Sequence, residues 1–294
     1  MFISLVTDEI SADPETAFEL GVEWGVRHFE LRGFGADRVP LFTPYQKDRL
    51  KELMDEYQAR IVAISPGLFK IPLPRAKRER FALRVLDSEL HSRWLSAREE
   101  LRRHIEELLP ASLDYACEIG AQVVVVFGLL RGGLPPGPVP EAAIAIFRRA
   151  AERAGAAGRT LAIEVEDGTF ADTGAHTAEI LQAVDHPALA VNWDPGNAVV
   201  SGENPYPDGY AAVRGYVRHV HFKDVVHDRD TGEFRYVVSG EIDWEGQIRA
   251  LERDGYAGAV SIETHRVPKV RSAREALERL RQLLAAAGPE GDRA

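Results

Sequence analysis

Four short motifs in the second half of the chain each carry one side chain of the metal-ligand type: Glu164 in LAIEVED, Asp194 in VNWDPGN, His221 in HVHFKD and Glu263 in SIETH. Three carboxylates and one imidazole make an oxygen-rich donor set with a single nitrogen, which suits Mn²⁺, Mg²⁺ or Co²⁺ better than a thiolate-rich zinc site would. Packed together without a cation, four such groups are hard to ionise at once, and a divalent ion is the simplest compensation. Each residue also has a plain structural reading. A strand-end carboxylate is commonly solvated or a helix cap, and Asp194 fits a DPGN turn. His221 fits a hydrogen-bonded core histidine, and His219, two residues earlier on the same strand face, competes with it. The metal reading gains from their joint occurrence on four successive strand ends, because in a closed barrel such ends converge on one mouth and residues about 30 positions apart meet there.

The elements that must position them follow from periodicity. Short apolar, β-branched runs recur at Ile3–Val6, His28–Leu31, Ile61–Ile64, Gln122–Phe127, Thr160–Val165, Ala188–Trp193, Val217–Phe222 and Ala259–Ile262. Between them lie amphipathic, helix-like stretches at Pro14–Trp24, Pro44–Gln58, Ala97–Ile119, Glu141–Ala157, Ala175–Val184, Trp244–Asp254 and Ala273–Ala286, with a weaker segment at Tyr206–Tyr216. Eight strand and helix units predict an α/β fold, a single-domain (β/α)8 TIM barrel over 1–287; a doubly wound open sheet is the main rival. Two departures from even spacing fall after strand ends: a charged excursion at about 69–96 and an irregular GGLPPGPVP stretch within Gly128–Pro140. Either serves as a lid or as surface decoration. Residues 288–294 read as a flexible C-terminal tail.

Composition limits the function classes. The chain has 294 residues, 45% hydrophobic and 28% charged, the profile of a soluble globular protein. Its net charge of −10 argues against a nucleic-acid partner, since phosphate neutralisation needs clustered Lys and Arg. Cys117 is the single cysteine and cannot form an internal disulfide, which fits a reducing compartment. No run approaches the roughly 18 apolar residues of a membrane span, and the start MFISLVTDEI has no signal-peptide pattern. The expectation is a cytoplasmic protein with no membrane partner.

LAIEVEDGTFADT, VNWDPGN, HVHFKD and GYAGAVSIE, in this order and spacing, resemble the xylose isomerase-like (AP endonuclease type 2) superfamily of sugar phosphate isomerases and epimerases. GVRHFELRG also resembles the second strand of that group. The resemblance covers essentially the whole barrel and is densest from Thr160 to Glu263. It implies that Glu164, Asp194, His221 and Glu263 are the ligands of one divalent ion, Mn²⁺ first, with Mg²⁺, Co²⁺ or Zn²⁺ as alternatives. It further implies that Glu164 and Glu263 double as acid/base groups. Glu166 shares the strand face of Glu164 and is the alternative first ligand. Homo-oligomers are common in that superfamily, although no segment here marks an interface.

The implied reaction is proton transfer at a carbon next to a carbonyl, through a metal-stabilised enediolate, giving isomerisation or epimerisation of a small polyhydroxylated sugar or sugar-like keto compound. Carboxylates on opposite faces of the substrate favour epimerisation; two on one face favour a carbonyl shift. Strand alternation adds a second polar layer, Glu166, Lys223 and His265, each two residues beyond a ligand. These, with Asn197 and Arg32, are the expected substrate-binding residues. Lys223 has a competing reading as a salt bridge with Asp224 or another mouth carboxylate, and Asn197 as a turn residue. Glu30 and Arg32 of HFELRG are both placed to reach the mouth.

Three rivals remain. A metal-dependent dehydratase of the inosose or dehydroshikimate type would expel a β-hydroxyl from the same enolate. An AP endonuclease needs further histidines, but here the sixth strand is followed by Asp194-Pro195-Gly196-Asn197, and the third and fourth strand ends read ISPG and VFGL. A non-catalytic barrel is the third, and no ligand type has been lost from the sequence to favour it.

Overall fold

The computed structural model describes residues 1–74, 88–134 and 137–287. Eight parallel strands close on themselves: β1 (Phe2–Val6), β2 (His28–Leu31), β3 (Arg60–Leu68), β4 (Val123–Phe127), β5 (Thr160–Glu164), β6 (Leu189–Trp193), β7 (Val217–Phe222) and β8 (Ala259–Ile262). Closure comes from β8 pairing β1, with Phe2 opposite Ala259 and Leu5 opposite Ile262. The barrel reading therefore stands, and the open sheet, which would leave two unpaired edges, is overturned.

Period-two alternation divides each strand between two environments. Outward residues such as Phe29, Leu31, Val124, Ile163, Trp193, Val220, Phe222 and Ile262 belong to the main apolar core against the helices. Inward residues form a small separate apolar layer of Ala63, Val123, Val125 and Ala162. Many of the other buried strand positions in the same phase are polar, among them Ser4, Glu30, Ser65, Asn192, His219, His221 and Ser261. A barrel filled with polar side chains must pair them internally, and that requirement shapes the site.

Most helices match the periodicity, with capping that explains several of their starts; the expected Ala97–Ile119 instead begins at Ser88 and passes through a wider turn at His104–Leu108 into Leu109–Glu118. Asp13 and Thr43 cap Pro14–Glu23 and Pro44–Glu56, each with proline in the first turn, and Thr173 caps Gly174–Val184. The connection after β3 leads into Ser88–Arg103, so the expected charged insertion falls partly outside the described residues, as does the expected tail at 288–294. The described part of Gly128–Pro140 is irregular, apart from isolated bridges of Leu130 to Pro72 and Thr169.

Three features depart from expectation. The DPGN segment begins a short helix, Pro195–Val200, rather than an isolated turn. The weak segment at Tyr206–Tyr216 is split into Pro205–Gly209 and Tyr210–Val213. Two antiparallel hairpins also stand after strand ends, Gly33–Phe34 with Asp37–Arg38 and Asp224–His227 with Phe234–Val237. Their runs are too short, or too charged, to register as strands by apolar alternation. Among the described residues no helix is long and apolar enough to cross a membrane.

Candidate metal centre

At the C-terminal ends of β5 to β8 the barrel brings four buried groups together: each of Glu164, Asp194, His221 and Glu263 offers a donor atom, all within 4.8 Å of one another. His221 Nδ1 lies 3.2 Å from Glu263 Oε2, 3.4 Å from Glu164 Oε1 and 3.6 Å from Asp194 Oδ2. Local sequence explains the aim of each. Asp194 is fixed as the cap of Pro195–Val200, its Oδ1 accepting the Asn197 N–H at 2.9 Å, which turns Oδ2 toward the cluster. His221 is held from behind. Its Nε2 lies 3.0 Å from Glu30 Oε2, which accepts its hydrogen, while Nδ1 faces the three acids, and despite burial the Glu263, Glu30 and Glu164 charges hold the imidazole well above the usual histidine range.

Glu30 is itself buried and fully engaged, accepting from His219 Nε2 at 2.7 Å and from the Ser65 hydroxyl. Burial opposes its ionisation, yet the neighbouring charges of His221 and His219 hold it well below the usual carboxylate range. His219 lies one layer deeper than the four-group cluster, where with Glu30 and His221 it makes a second close group of donor atoms. Glu30 likewise does not reach the mouth, whereas Arg32 does, pairing with Glu263 and, at 3.5 Å, with Asp8. The difference is depth: Glu30 lies within the strand and faces the barrel interior, whereas Arg32, two residues on, lies past the strand's end.

The second polar layer is assembled largely as expected. Lys223 is buried with Nζ 2.8 Å from both Asp194 and Glu263; it does not pair with Asp224, which binds Arg279 instead. The strand end carrying Lys223 is anchored by Trp244, whose indole N–H donates to Lys223 O at 3.0 Å. Asn197 donates to Glu166 Oε2 at 3.0 Å and to Val165 O at 2.9 Å. Glu166 stands outside the four-group cluster and pairs with Lys70. His265 lies 3.4 Å from Glu263 and 3.3 Å from Glu9. Burial acts against its charge, but hydrogen bonds to Glu263 and Glu9 raise its pKa to about 9.

Electrostatics within the cluster are uneven. Burial pushes the Glu164 carboxyl up. At Glu263 burial is overridden by the charges of Lys223, His221 and Arg32, which hold it well below the usual range. The Asp194, Glu263 and Glu164 carboxylates keep Lys223 charged despite burial. The donor set fits a divalent ion on its own chemistry. It offers three carboxylates and a correctly presented imidazole nitrogen, and Asp194 Oδ2 accepts no well-aligned hydrogen bond even with Lys223 beside it.

The group opens on a cavity of about 370 Å³ whose lining includes Glu164, Glu166, Glu263, Asn197, Arg32 and His265. Four further residues at or beside it were not expected. Arg38 and Lys70 line the same cavity from the connections after β2 and β3. Tyr236, on the 224–237 hairpin, packs 5.2 Å from the His265 ring. Glu9 accepts the backbone N–H groups of Thr264 and His265 at 2.9 and 2.8 Å, fixing the turn that follows Glu263. The hairpin had a legible signal, a DTG turn between VVH and FRYVV; the other three are ordinary charged residues in loops. A larger cavity of about 670 Å³ lies at the opposite end of the barrel, lined by Phe2, Ile61, Val123 and Ala259 among others and by no carboxylate.

The family model described as Xylose isomerase-like TIM barrel matches residues 18–283. The 3-dehydroshikimate dehydratase of Bacillus anthracis is 36% identical over 63 residues, so the match spans 21% of this chain and 22% of that protein. Among solved structures, D-allulose 3-epimerase from Methylomonas sp. in complex with D-allulose superposes with a TM-score of 0.67 at 17% identity, covering 96% of each chain. A xylose isomerase-like TIM barrel protein from Mycobacterium smegmatis in complex with magnesium gives 0.65 at 20% identity, over 93% of this chain and 88% of that one. At such identities the two structures speak for the fold. The family match over most of the sequence goes further, and the chain belongs to the xylose isomerase-like TIM barrel family.

Proposed function

We propose that this protein is a divalent-metal-dependent isomerase or epimerase of a small polyhydroxylated keto compound. The observation that carries the reading is the convergence of Glu164, Asp194, His221 and Glu263 into one buried group facing the mouth cavity. These four residues would hold the ion, with manganese the first choice and magnesium, cobalt or zinc as alternatives. When bound, the ion supplies Lewis-acid stabilisation of the negative charge that develops on a substrate carbonyl oxygen.

The remaining chemistry belongs to the chain. Glu164 and Glu263 come from strands on either side of His221 and serve as the groups that take a proton from the substrate carbon and return it. Arg32 and Lys223 orient the Glu263 carboxylate. Glu30 fixes the His221 tautomer, and Asn197 ties Glu166 to the cavity wall, where it can meet a substrate hydroxyl. Glu9 holds the backbone after Glu263, so the carboxylate's position does not depend on a free loop.

A second reading, a dehydratase, is favoured by the 36% identity to the 3-dehydroshikimate dehydratase segment. There the same proton removal would be followed by departure of a β-hydroxyl with a proton from the second carboxyl group. Solvent deuterium exchange with added Mn²⁺, over a panel of ketoses, ketose phosphates, inososes and dehydroshikimate, separates the two. Deuterium at the carbon beside the carbonyl in an isomer or epimer supports the first, and loss of water without an epimer supports the second. Glu164→Gln and Glu263→Gln should each slow exchange by about 10²–10⁴-fold. Exchange by neither parent nor variants, with metal and ligand still bound, would remove the assigned chemistry.

A further inference from the structure

The cavity over the four-group cluster has two chemically different walls. The connections after β5 and β8 supply Glu164, Glu166, Asp167 and Glu263, and those after β2 and β3 supply Arg32, Arg38 and Lys70. Most of these cations are neutralised within the protein, Arg32 by Glu263 and Asp8 and Lys70 by Glu166. Arg38 differs. Its Nε donates to the Ser65 carbonyl at 3.0 Å, and among the described residues no carboxylate forms an ion pair with it.

That single bond uses one of the five guanidinium donors and leaves the four N–H groups of the two Nη atoms, on a side chain that lines the cavity, without a carboxylate partner among the described residues. The seat is built for it. Gly67 has φ +78°, and a Cβ there would stand 3.3 Å from Arg38 Nε and 3.5 Å from Cζ, so the β3 backbone lies close beneath the guanidinium because Gly67 has no side chain. Arg38 is an exposed residue, and partial desolvation together with the like charge of Arg32 lowers its pKa by more than the Asp8, Glu164 and Glu30 charges raise it. A neutral sugar would leave this guanidinium without a charged partner. An anion would engage it through two parallel N–H bonds.

The geometry points to Arg38 as an anion-binding subsite, so that the substrate is an anionic keto compound whose carboxylate or phosphate lies remote from the carbons addressed by Glu164 and Glu263. The assignment of the reacting end rests on the proposed proton-transfer reading; the anion site itself rests on Arg38, Gly67 and Ser65.

Calorimetric titration of the full-length, Mn²⁺-supplemented protein with shikimate, D-fructose 6-phosphate and D-fructose tests it. At least one anionic probe should bind at least tenfold more tightly than D-fructose, and whether shikimate or the phosphate is favoured identifies the anion. Arg38→Gln should shrink that anionic-to-neutral ratio about tenfold, and Arg38→Lys should recover part of it while losing the bidentate contact. A ratio near one in the parent, or a ratio unmoved by Arg38→Gln, overturns the subsite. Its failure is distinguishable from failure of the proposed reaction. Deuterium exchange into neutral ketoses alone, indifferent to Arg38→Gln, would keep the reaction and remove the subsite. Arg38-dependent anion binding without exchange into any compound would do the reverse.

Discussion

The two halves of the barrel meet at one mouth and are built on opposite principles. Strands β5 to β8 deliver Glu164, Asp194, His221 and Glu263 directly from strand ends or the residue that follows, all buried, with register and alternation fixing their aim. The first half delivers cations from connections: Arg32 just beyond β2, Arg38 from a two-residue hairpin strand, and Lys70 beyond β3 with its side chain 48% exposed. On the proposed reading, the groups that would hold an ion in a fixed geometry sit on rigid elements, while those that would face the substrate sit on loops. Glu30 is the exception, a first-half residue buried in the interior and acting on the second half through His221.

The largest expected effect comes from cutting that link. Glu30→Gln keeps the shape but leaves the His221 Nε2–H facing an amide, and Mn²⁺ affinity measured by calorimetry should fall about 10–100-fold. Lys70→Met, on the loop-borne wall, should change the same affinity by less than about twofold, because its pair with Glu166 is half-exposed and does not touch the four-group cluster. Equal losses in the two variants would erase the distinction between the halves.

A smaller effect concerns the loop wall alone. His104 is buried, accepts the Phe69 N–H on Nδ1 at 2.9 Å, and so holds the backbone just before Lys70. Burial lowers its pKa below the ordinary histidine value of 6.5. Between the lowered value and 6.5 the unfolded chain binds more protons than the folded one, so this contribution is complete above 6.5 and is lost as pH falls through the folded pKa. The parent's melting temperature should therefore fall more than that of His104→Gln between pH 7 and pH 5. Identical pH slopes would exclude His104 as a contributor.

The unequal legibility of the two halves has the same origin. The strand-end candidates announce themselves because a carboxylate or imidazole interrupts an apolar run such as LAIEVED or HVHFKD, and the topology then dictates that they meet. Arg38, Lys70 and Glu9 interrupt nothing. Their roles depend on loop paths, on Gly67 making room and on the turn after Glu263, none of which a period-two or period-3.6 pattern encodes. Glu30 was visible as an acid within an apolar strand, but its depth followed only from closure of the barrel, which turned it toward His219 and His221 rather than the mouth. Lys223 likewise had a legible position, while its partner, Asp194 rather than the adjacent Asp224, depended on Arg279 from the last helix claiming Asp224.

The central claim is that one divalent ion is held by Glu164, Asp194, His221 and Glu263. It is tested most directly by anomalous diffraction from crystals of the protein grown with Mn²⁺. The expected result is one strong peak bonded to the three carboxylates and to His221 Nδ1, with Nε2 still hydrogen-bonded to Glu30. A peak bonded to Glu166 in place of Glu164, or to His221 Nε2 together with Glu30 and His219, or no peak among these residues at saturating metal, would contradict it.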